Sequence, residues 1–356
     1  MKMIVRRTAL AVCTLVLAVI LSTAASAACT GFDDVPETAD CYESVMYLAE
    51  CEIVAGTGND CFSPEQLITV EQWAVMLCRA YGAETIGDSW QDVGRSSVVE
   101  AYRQGWLNET ALSAPRSPMC RSVLVESAFA AADVPVYDST LYEGGASLST
   151  ADNILRVGRE LGLCSDDADT NALVTRGDAA IILHVVLTQS FRIEEPPVPV
   201  TLVNAAGVNV NDFLLELRKL PEQVLDAFNA AGWTYCIDFD YMGGLSKKLN
   251  MSCIGATSYG QKTIYISEAS ATLHEFGHFL DWMLGFPAEH EQLFRAEAAA
   301  APLRNYAKTN AREYFADCFA YWVKYAGNTN AISLLQECAP MMYRYMEDLM
   351  RIANWL

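Results

Sequence analysis

From about residue 32 to 189, apolar positions recur with helical spacing in short blocks, each closed by a turn rich in Gly, Asp or Pro. Residues 32–82 read as an Asp-rich turn (FDDVP), a helix (CYESVMYLAECEIV), a Gly-containing turn with an apolar hook (GTGNDCFSP), and a helix started near Thr69 (TVEQWAVMLCRAYG). A similar unit spans 90–134, and a third spans 149–189 with a helix at ADNILRVGRELGL and a second helix start at VTRGDAAIILHVVL. Pro64 is echoed by Pro115, and the tetrad at Thr69 by those at Cys120 and Thr175. Self-similar helix pairs of this length predict an all-α, pseudo-threefold helical repeat domain over residues 28–190.

Residues 191–202 interrupt the pattern. The run EEPPVPV carries prolines that lack amide donors and favour polyproline II, so it reads as an extended, semi-rigid linker. Beyond it, over 203–356, the pattern becomes α+β. Residues 214–231 form an amphipathic helix pair broken at Pro221, and TYCIDF (234–239) and KTIYIS (262–267) have the β-branched and aromatic content of strands. A helix follows directly, with Ser270 or Thr272 near its cap and Gly285 near its end. A last helix-forming block is CAPMMYRYMEDLM.

Composition narrows the picture. With 24 Lys+Arg against 44 Asp+Glu, a net charge of −20 leaves no basic surplus to displace counterions from a phosphate backbone, and nucleic acid is excluded as the expected partner. The N-terminus carries Lys2, Arg6 and Arg7, an apolar run to Leu21 and an Ala25-Ser26-Ala27 cleavage site, so residues 1–27 read as a secretory signal peptide. No second apolar run is long enough to span a bilayer. An exported chain meets an oxidising compartment, so short-range disulfides such as Cys51 to Cys61, Cys236 to Cys253 and Cys318 to Cys338 are expected.

The candidate chemistry lies in His274-Glu275-Phe276-Gly277-His278, which holds two of the four histidines. On a helix a four-residue spacing stacks both imidazoles on one face, where they can ligate one Zn²⁺ while Glu275 stands beside the metal as a base. A catalytic zinc needs a third protein ligand and an open position. Asp281 stays on the same helix and cannot close the tetrahedron. His290, in PAEHEQ, reads as a solvated surface residue, and His184, among IIL and VVL, as a core histidine. The remaining option is a carboxylate on a second helix, REYFADCFAYWV, where Glu313 falls in the first turn and Asp317 one turn later on the same side, placed to orient a ligand histidine.

Two family resemblances follow. FDDV, the hook from Gly56 to Pro64 and the tetrads Thr69-Val70-Glu71-Gln72, Cys120-Arg121-Ser122-Val123 and Thr175-Arg176-Gly177-Asp178 resemble S-layer homology repeats, which implies docking to a cell-wall polysaccharide. HEFGHFLDWMLG followed by YAKTNAREYFADCF resembles the anthrax lethal factor-like metallopeptidases, a gluzincin family that includes secreted Pro-Pro endopeptidases. That resemblance implies an α+β zincin fold, one zinc held by His274, His278 and Glu313, Glu275 as general base and Tyr306 as the hydroxyl that stabilises the oxyanion. Nothing in the residues themselves separates Tyr306 from Tyr314.

The expected protein is a secreted, cell-wall-associated zinc metalloendopeptidase acting on a Pro-rich peptide or protein segment. The Pro196-Pro197 bond of its own linker is a candidate for self-cleavage. The alternatives are a broader-specificity, toxin-like peptidase of the same family, and a catalytically silent wall-anchored protein. A strand at KTIYIS would hold an extended substrate by edge pairing, and Trp233, Tyr265, Trp282 and Tyr306 are aromatic candidates for contacting it.

Overall fold

The computed structural model describes residues 2–4 and 31–352, so nearly all of the leader read at 1–27 lies outside the described residues. The chain separates into two compact units, one made of residues 1–140 and 144–195, the other of 141–143 and 196–356.

The first unit is helical. Its main helices are α1 (Tyr42–Glu50), α2 (Val70–Tyr81), α3 (Trp90–Arg103), α4 (Glu109–Ser113), α5 (Arg121–Ala131), α6 (Thr150–Glu160) and α7 (Arg176–Thr188). Side-chain oxygens start most of them: Thr69 forms a reciprocal capping box with Gln72, and Ser89, Asn108, Ser149 and Thr175 accept from amides of the first turn.

The starts of α2, α5 and α7 meet in a closed cycle of backbone hydrogen bonds. Ile68 N donates to Val174 O, Val174 N to Met119 O and Met119 N to Ile68 O, each at 3.0 Å. Next along, Val70 N donates to Ser117 O, Arg121 N to Ala172 O and Arg176 N to Gln66 O. Asp34 accepts from the amides of Phe62 and Ser63, both at 2.7 Å, which ties the Asp-rich turn to the apolar hook. A short strand pair, β1 (Lys2–Ile4) with β2 (Arg192–Glu194), is antiparallel.

The second unit is a four-stranded mixed sheet with helices. In chain order it contains β3 (Leu202–Asn204), α8 (Asn211–Leu217), α9 (Glu222–Ala230), β4 (Thr234–Ile237), α10 (Phe239–Leu249), β5 (Gly255–Ser258), β6 (Thr263–Ile266), α11 (Thr272–Met283), α12 (Ala288–Glu297), α13 (Ala311–Lys324), α14 (Thr329–Cys338) and α15 (Pro340–Ile352). The strand order is β3-β4-β6-β5, with β3, β4 and β6 parallel and β5 antiparallel to β6.

KTIYIS is therefore an interior strand, and its expected role as the substrate-pairing edge is corrected: the free edge beside the cleft is β5. Its sequence, Gly-Ala-Thr-Ser, lacks the β-branched run that marks strands, and it forms because the open edge of β6 accepts it through the turn at 259–262. The core packs Phe228, Trp233, Phe276, Phe279 and Trp282 between α9, β4 and α11, with ring centroids 4.8–6.2 Å apart. Burial of Phe276 and Phe279 contributes roughly 1.5–3 kcal/mol each and fixes the helix that carries the pentad.

The expected disulfides Cys51–Cys61, Cys236–Cys253 and Cys318–Cys338 do not form among the described residues. Cysteine sulfurs are packed elsewhere: Cys78 donates to Ser97 O, Cys253 to Met251 O, and Cys120 contacts Ser122. Cys164 and Cys41 abut Gly158 and Gly177. Among the described residues no helix is long and apolar enough to cross a membrane.

Candidate metal centre and cleft

The start of α11 is not side-chain capped. Ala271 stands at its cap position and neither Ser270 nor Thr272 fills that role; instead the Thr272 hydroxyl is 2.6 Å from the Tyr235 hydroxyl of β4, which pins the helix to the sheet. The pentad is buried on one side of this helix: His274 and His278 are each 8% exposed and Glu275 5%.

Helix α13 crosses against it. Its start is set by Asn310, whose side-chain oxygen accepts from the amides of Arg312 and Glu313, both at 3.1 Å, and this turns the Glu313 side chain toward the histidines. His274 Nε2 and His278 Nε2 are 3.1 Å apart, and Glu313 Oε2 is 3.1 Å from the first and 3.4 Å from the second.

These residues fit a zinc ion. Donor atoms at the corners of a tetrahedron with bonds of about 2.0–2.1 Å stand about 3.3 Å apart, close to the separations found. Glu313 Oε2 and His278 Nδ1 are buried without a hydrogen-bond partner, so the carboxylate oxygen aimed between the imidazoles has no proton donor of suitable geometry. Among the described residues, His274, His278 and Glu313 form a cluster able to hold a metal ion. Burial opposes the charged form of both His274 and Glu313. At His274 the hydrogen bonds to Asp317 and then Glu313 outweigh it and raise the imidazole to about 9; at Glu313 the contacts with His274 and His278 outweigh it and lower the carboxyl to about 2.

Asp317 stands one turn after Glu313 and reaches His274 Nδ1 at 2.6 Å. This leaves Nε2 as the metal-facing nitrogen. Arg304 grips the same carboxylate through Nε and a terminal nitrogen at 2.6 and 2.7 Å. Asp317→Ala is expected to lower zinc affinity by about 10- to 100-fold, measured by competition with a chromophoric chelator; unchanged affinity would remove Asp317 from this role.

Glu275 lines the same cleft and stands outside the set of His274, His278 and Glu313. Its Oε2 accepts from the Thr257 hydroxyl of β5 at 2.7 Å. Burial raises its carboxyl, with His274 and His278 opposing. Gly255 makes room for it: a Cβ there would fall 2.6 Å from Glu275 Oε1 and 2.8 Å from its Cγ. Tyr306, on a 3₁₀ turn (Asn305–Lys308), is 43% exposed, with its ring centroid 6.4 Å from that of His274. Tyr314 is fully buried beside Phe294. The two tyrosines thus occupy opposite environments, one at the site and one in the core.

Other expectations are corrected. His290 is 3% exposed, with Nδ1 2.8 Å from Asp281, Nε2 2.9 Å from the Tyr345 hydroxyl and its ring stacked 4.1 Å from Phe315. Its acidic sequence neighbours face out while α12 turns the imidazole inward. Trp233 and Trp282 belong to the aromatic core, and Tyr265 stacks on Tyr241 at 3.8 Å, so of the four aromatic candidates only Tyr306 lines the cleft. His184 is partly buried and bonds Ser44 at 3.0 Å.

The cleft holds about 850 Å³ and is open to solvent, and its lining includes apolar Leu245, Leu249 and Met251 together with His274, His278 and Glu313. Sequence reasoning missed Thr257, Gly255, Arg304 and Gly277. A glycine inside the pentad helix carried a signal, since it costs about 1 kcal/mol against Ala and calls for a packing reason.

A site of two helical histidines, a carboxylate from a crossing helix and a buried glutamate beside them defines a candidate metallohydrolase centre. Residues 216–349 match the family model described as anthrax toxin lethal factor, N- and C-terminal domain, and residues 31–72 match the S-layer homology domain. The chain thus carries an anthrax lethal factor-like domain and an S-layer homology domain. Among solved structures it is similar to the Pro-Pro endopeptidase PPEP-2 from Paenibacillus alvei, at 20% identity and a TM-score of 0.35, over 42% of this chain and 96% of that one. No curated protein matches the chain.

Proposed function

We propose that this protein is a secreted, cell-envelope-associated zinc metalloendopeptidase, its C-terminal unit a gluzincin and its N-terminal unit a pseudo-threefold trio of S-layer-homology-like repeats. The observation that carries the reading is the convergence of His274 Nε2, His278 Nε2 and Glu313 Oε2 at 3.1–3.4 Å beside the buried Glu275, in the lining of an open cleft.

His274, His278 and Glu313 would hold the zinc, whose chemistry when bound is Lewis acidity that polarises the scissile carbonyl and acidifies a water. Glu275 accepts the proton at its carboxylate and returns it to the departing nitrogen; burial raises its proton affinity toward what both transfers need. The Thr257 bond at Oε2 keeps the carboxylate aimed. Tyr306 donates its hydroxyl to the oxyanion as charge develops there. Unpaired backbone groups along the outer edge of β5 hold an extended peptide by strand addition.

The finer specificity, a Pro-Pro bond, is favoured by the apolar wall of Leu245, Leu249 and Met251, because prolines on both sides of a bond remove amide donors and leave shape and apolar packing to recognise. In the first unit Arg176 of the third tetrad lines a groove with Arg79, Gln72 and Trp90, its Nε donating to Phe62 O at 2.9 Å. That groove is the candidate contact for a wall polysaccharide. Self-cleavage at Pro196-Pro197 has to contend with a buried Pro196 and with Asn229, which bonds Pro199 O and Thr201 N.

Metal analysis combined with cleavage of a diverse peptide library, products sequenced, tests the whole reading. One zinc per chain and cuts confined to Pro-Pro bonds are expected. Cuts at other bonds would remove the specificity, and one zinc with no cleavage would remove the peptidase.

A further inference from the structure

The two cations lining the cleft, among the described residues, are Arg304 and Arg312, and they are used differently. Arg304 is spent on Asp317, in a two-pronged ion pair. Arg312 is exposed and forms no ion pair among the described residues, although it directly precedes Glu313. Its guanidinium is nevertheless held in place, 4.2 Å from the ring centroid of Phe286 and 5.8 Å from that of Tyr259.

Two local features run against ordinary helix and turn preferences. Arg312 lies in the first turn of the 14-residue helix α13, where a cation opposes the helix dipole. Phe286, which supplies the nearer ring, stands at φ 54, a left-handed conformation unusual for a bulky side chain, in the turn where its amide donates to Asp281 O at 2.9 Å. Conformations of this kind persist where the surroundings hold them and gather at binding sites. A stacked, unpaired guanidinium beside a positive helix end, facing a cleft, is arranged to receive a planar anion through its fork of N–H donors.

We infer that Arg312, held between Phe286 and Tyr259, recognises a carboxylate of the substrate bound in the cleft, an inference that rests on the peptidase reading for the ligand being a peptide. The carboxylate has two sources, an Asp or Glu side chain near the scissile bond or the C-terminus of a chain cut close to its end.

Matched pools of short fluorescent peptides distinguish them, with Glu or Gln fixed at one position and the C-terminus free or amidated. Their binding to full-length, zinc-loaded Glu275→Gln protein is read by anisotropy, and their hydrolysis by the wild type is followed in parallel. The amidated Glu pool is expected to bind on the order of 10- to 100-fold more tightly than the amidated Gln pool. Adding Arg312→Gln brings that ratio near one, while Arg312→Lys retains part of it. An advantage that follows the free C-terminus instead assigns the terminal carboxylate as the ligand, still through Arg312.

Equal binding of all pools overturns the inference, as does an advantage that survives Arg312→Gln in protein that keeps its zinc. If the variant loses its zinc, the comparison of pools in the Arg312 background decides alone. Arg312-dependent binding without hydrolysis of any pool by the wild type overturns the peptidase reading and leaves the carboxylate site standing.

Discussion

Replacing Glu275 with Gln is expected to lower kcat for peptide cleavage by about 10²- to 10⁴-fold, the usual worth of a positioned general acid-base, while the protein keeps its zinc. The two effects separate because Glu275 lies outside the proposed ligand set: its Oε2 is bonded to Thr257, and the cluster able to hold a metal is His274, His278 and Glu313. Gln preserves the shape of a side chain that is 5% exposed, and its carbonyl oxygen can still accept from Thr257, so the fold is undisturbed. What it cannot do is take a proton from water and return it to an amine. Steady-state kinetics with zinc quantified in the same sample checks this. A Gln variant with wild-type kcat removes Glu275 from the reaction, and one that loses zinc in parallel with activity shifts its role to holding the site together.

The parts of the site that are legible in the sequence are those whose geometry is local. His274 and His278 share a face because one helical turn separates them, and Glu313 and Asp317 pair for the same reason on α13. Helix starts at Thr69, Ser149 and Thr175 are equally local, since the capping oxygen and the amides it serves lie within three residues.

What the sequence hides depends on distant segments meeting. His290 sits among Glu289 and Glu291, so its neighbours suggest solvent, but its partners Asp281, Phe315 and Tyr345 come from α11, α13 and α15. β5 carries no strand signal of its own and exists because β6 offers it an edge. Tyr306 and Tyr314 are indistinguishable as letters and separate only when α13 buries one and the 3₁₀ turn before it exposes the other.

Gly277 to Val is expected to unfold the metal site rather than merely weaken it, and Gly277 to Ala to do so partly. The two helices that supply the ligands touch at this glycine: a Cβ on Gly277 would lie 2.6 Å from Ala316 Cα and 2.8 Å from Ala316 O. Those atoms are backbone, so relief requires moving a whole helix. Ala316 is flanked in sequence by Phe315 and Asp317, and it lies three residues from Glu313. Any shift that clears the new methyl therefore draws Glu313 and Asp317 away from His274 and His278 together. Overpacking of this kind costs roughly 1–3 kcal/mol for a small insertion. The helix propensity gained by replacing glycine with Ala recovers about 1 kcal/mol of it. Val adds bulk without that gain. Zinc affinity is the sharper readout, because three donors spaced 3.1–3.4 Å apart lose the metal once one ligand helix retreats. The expected order is wild type above Gly277→Ala above Gly277→Val in both zinc affinity and thermal stability of the C-terminal unit. An Ala variant that gains stability and binds zinc as wild type does would mean the helices can separate without cost, and the close approach at Gly277 would then play no part in assembling the site.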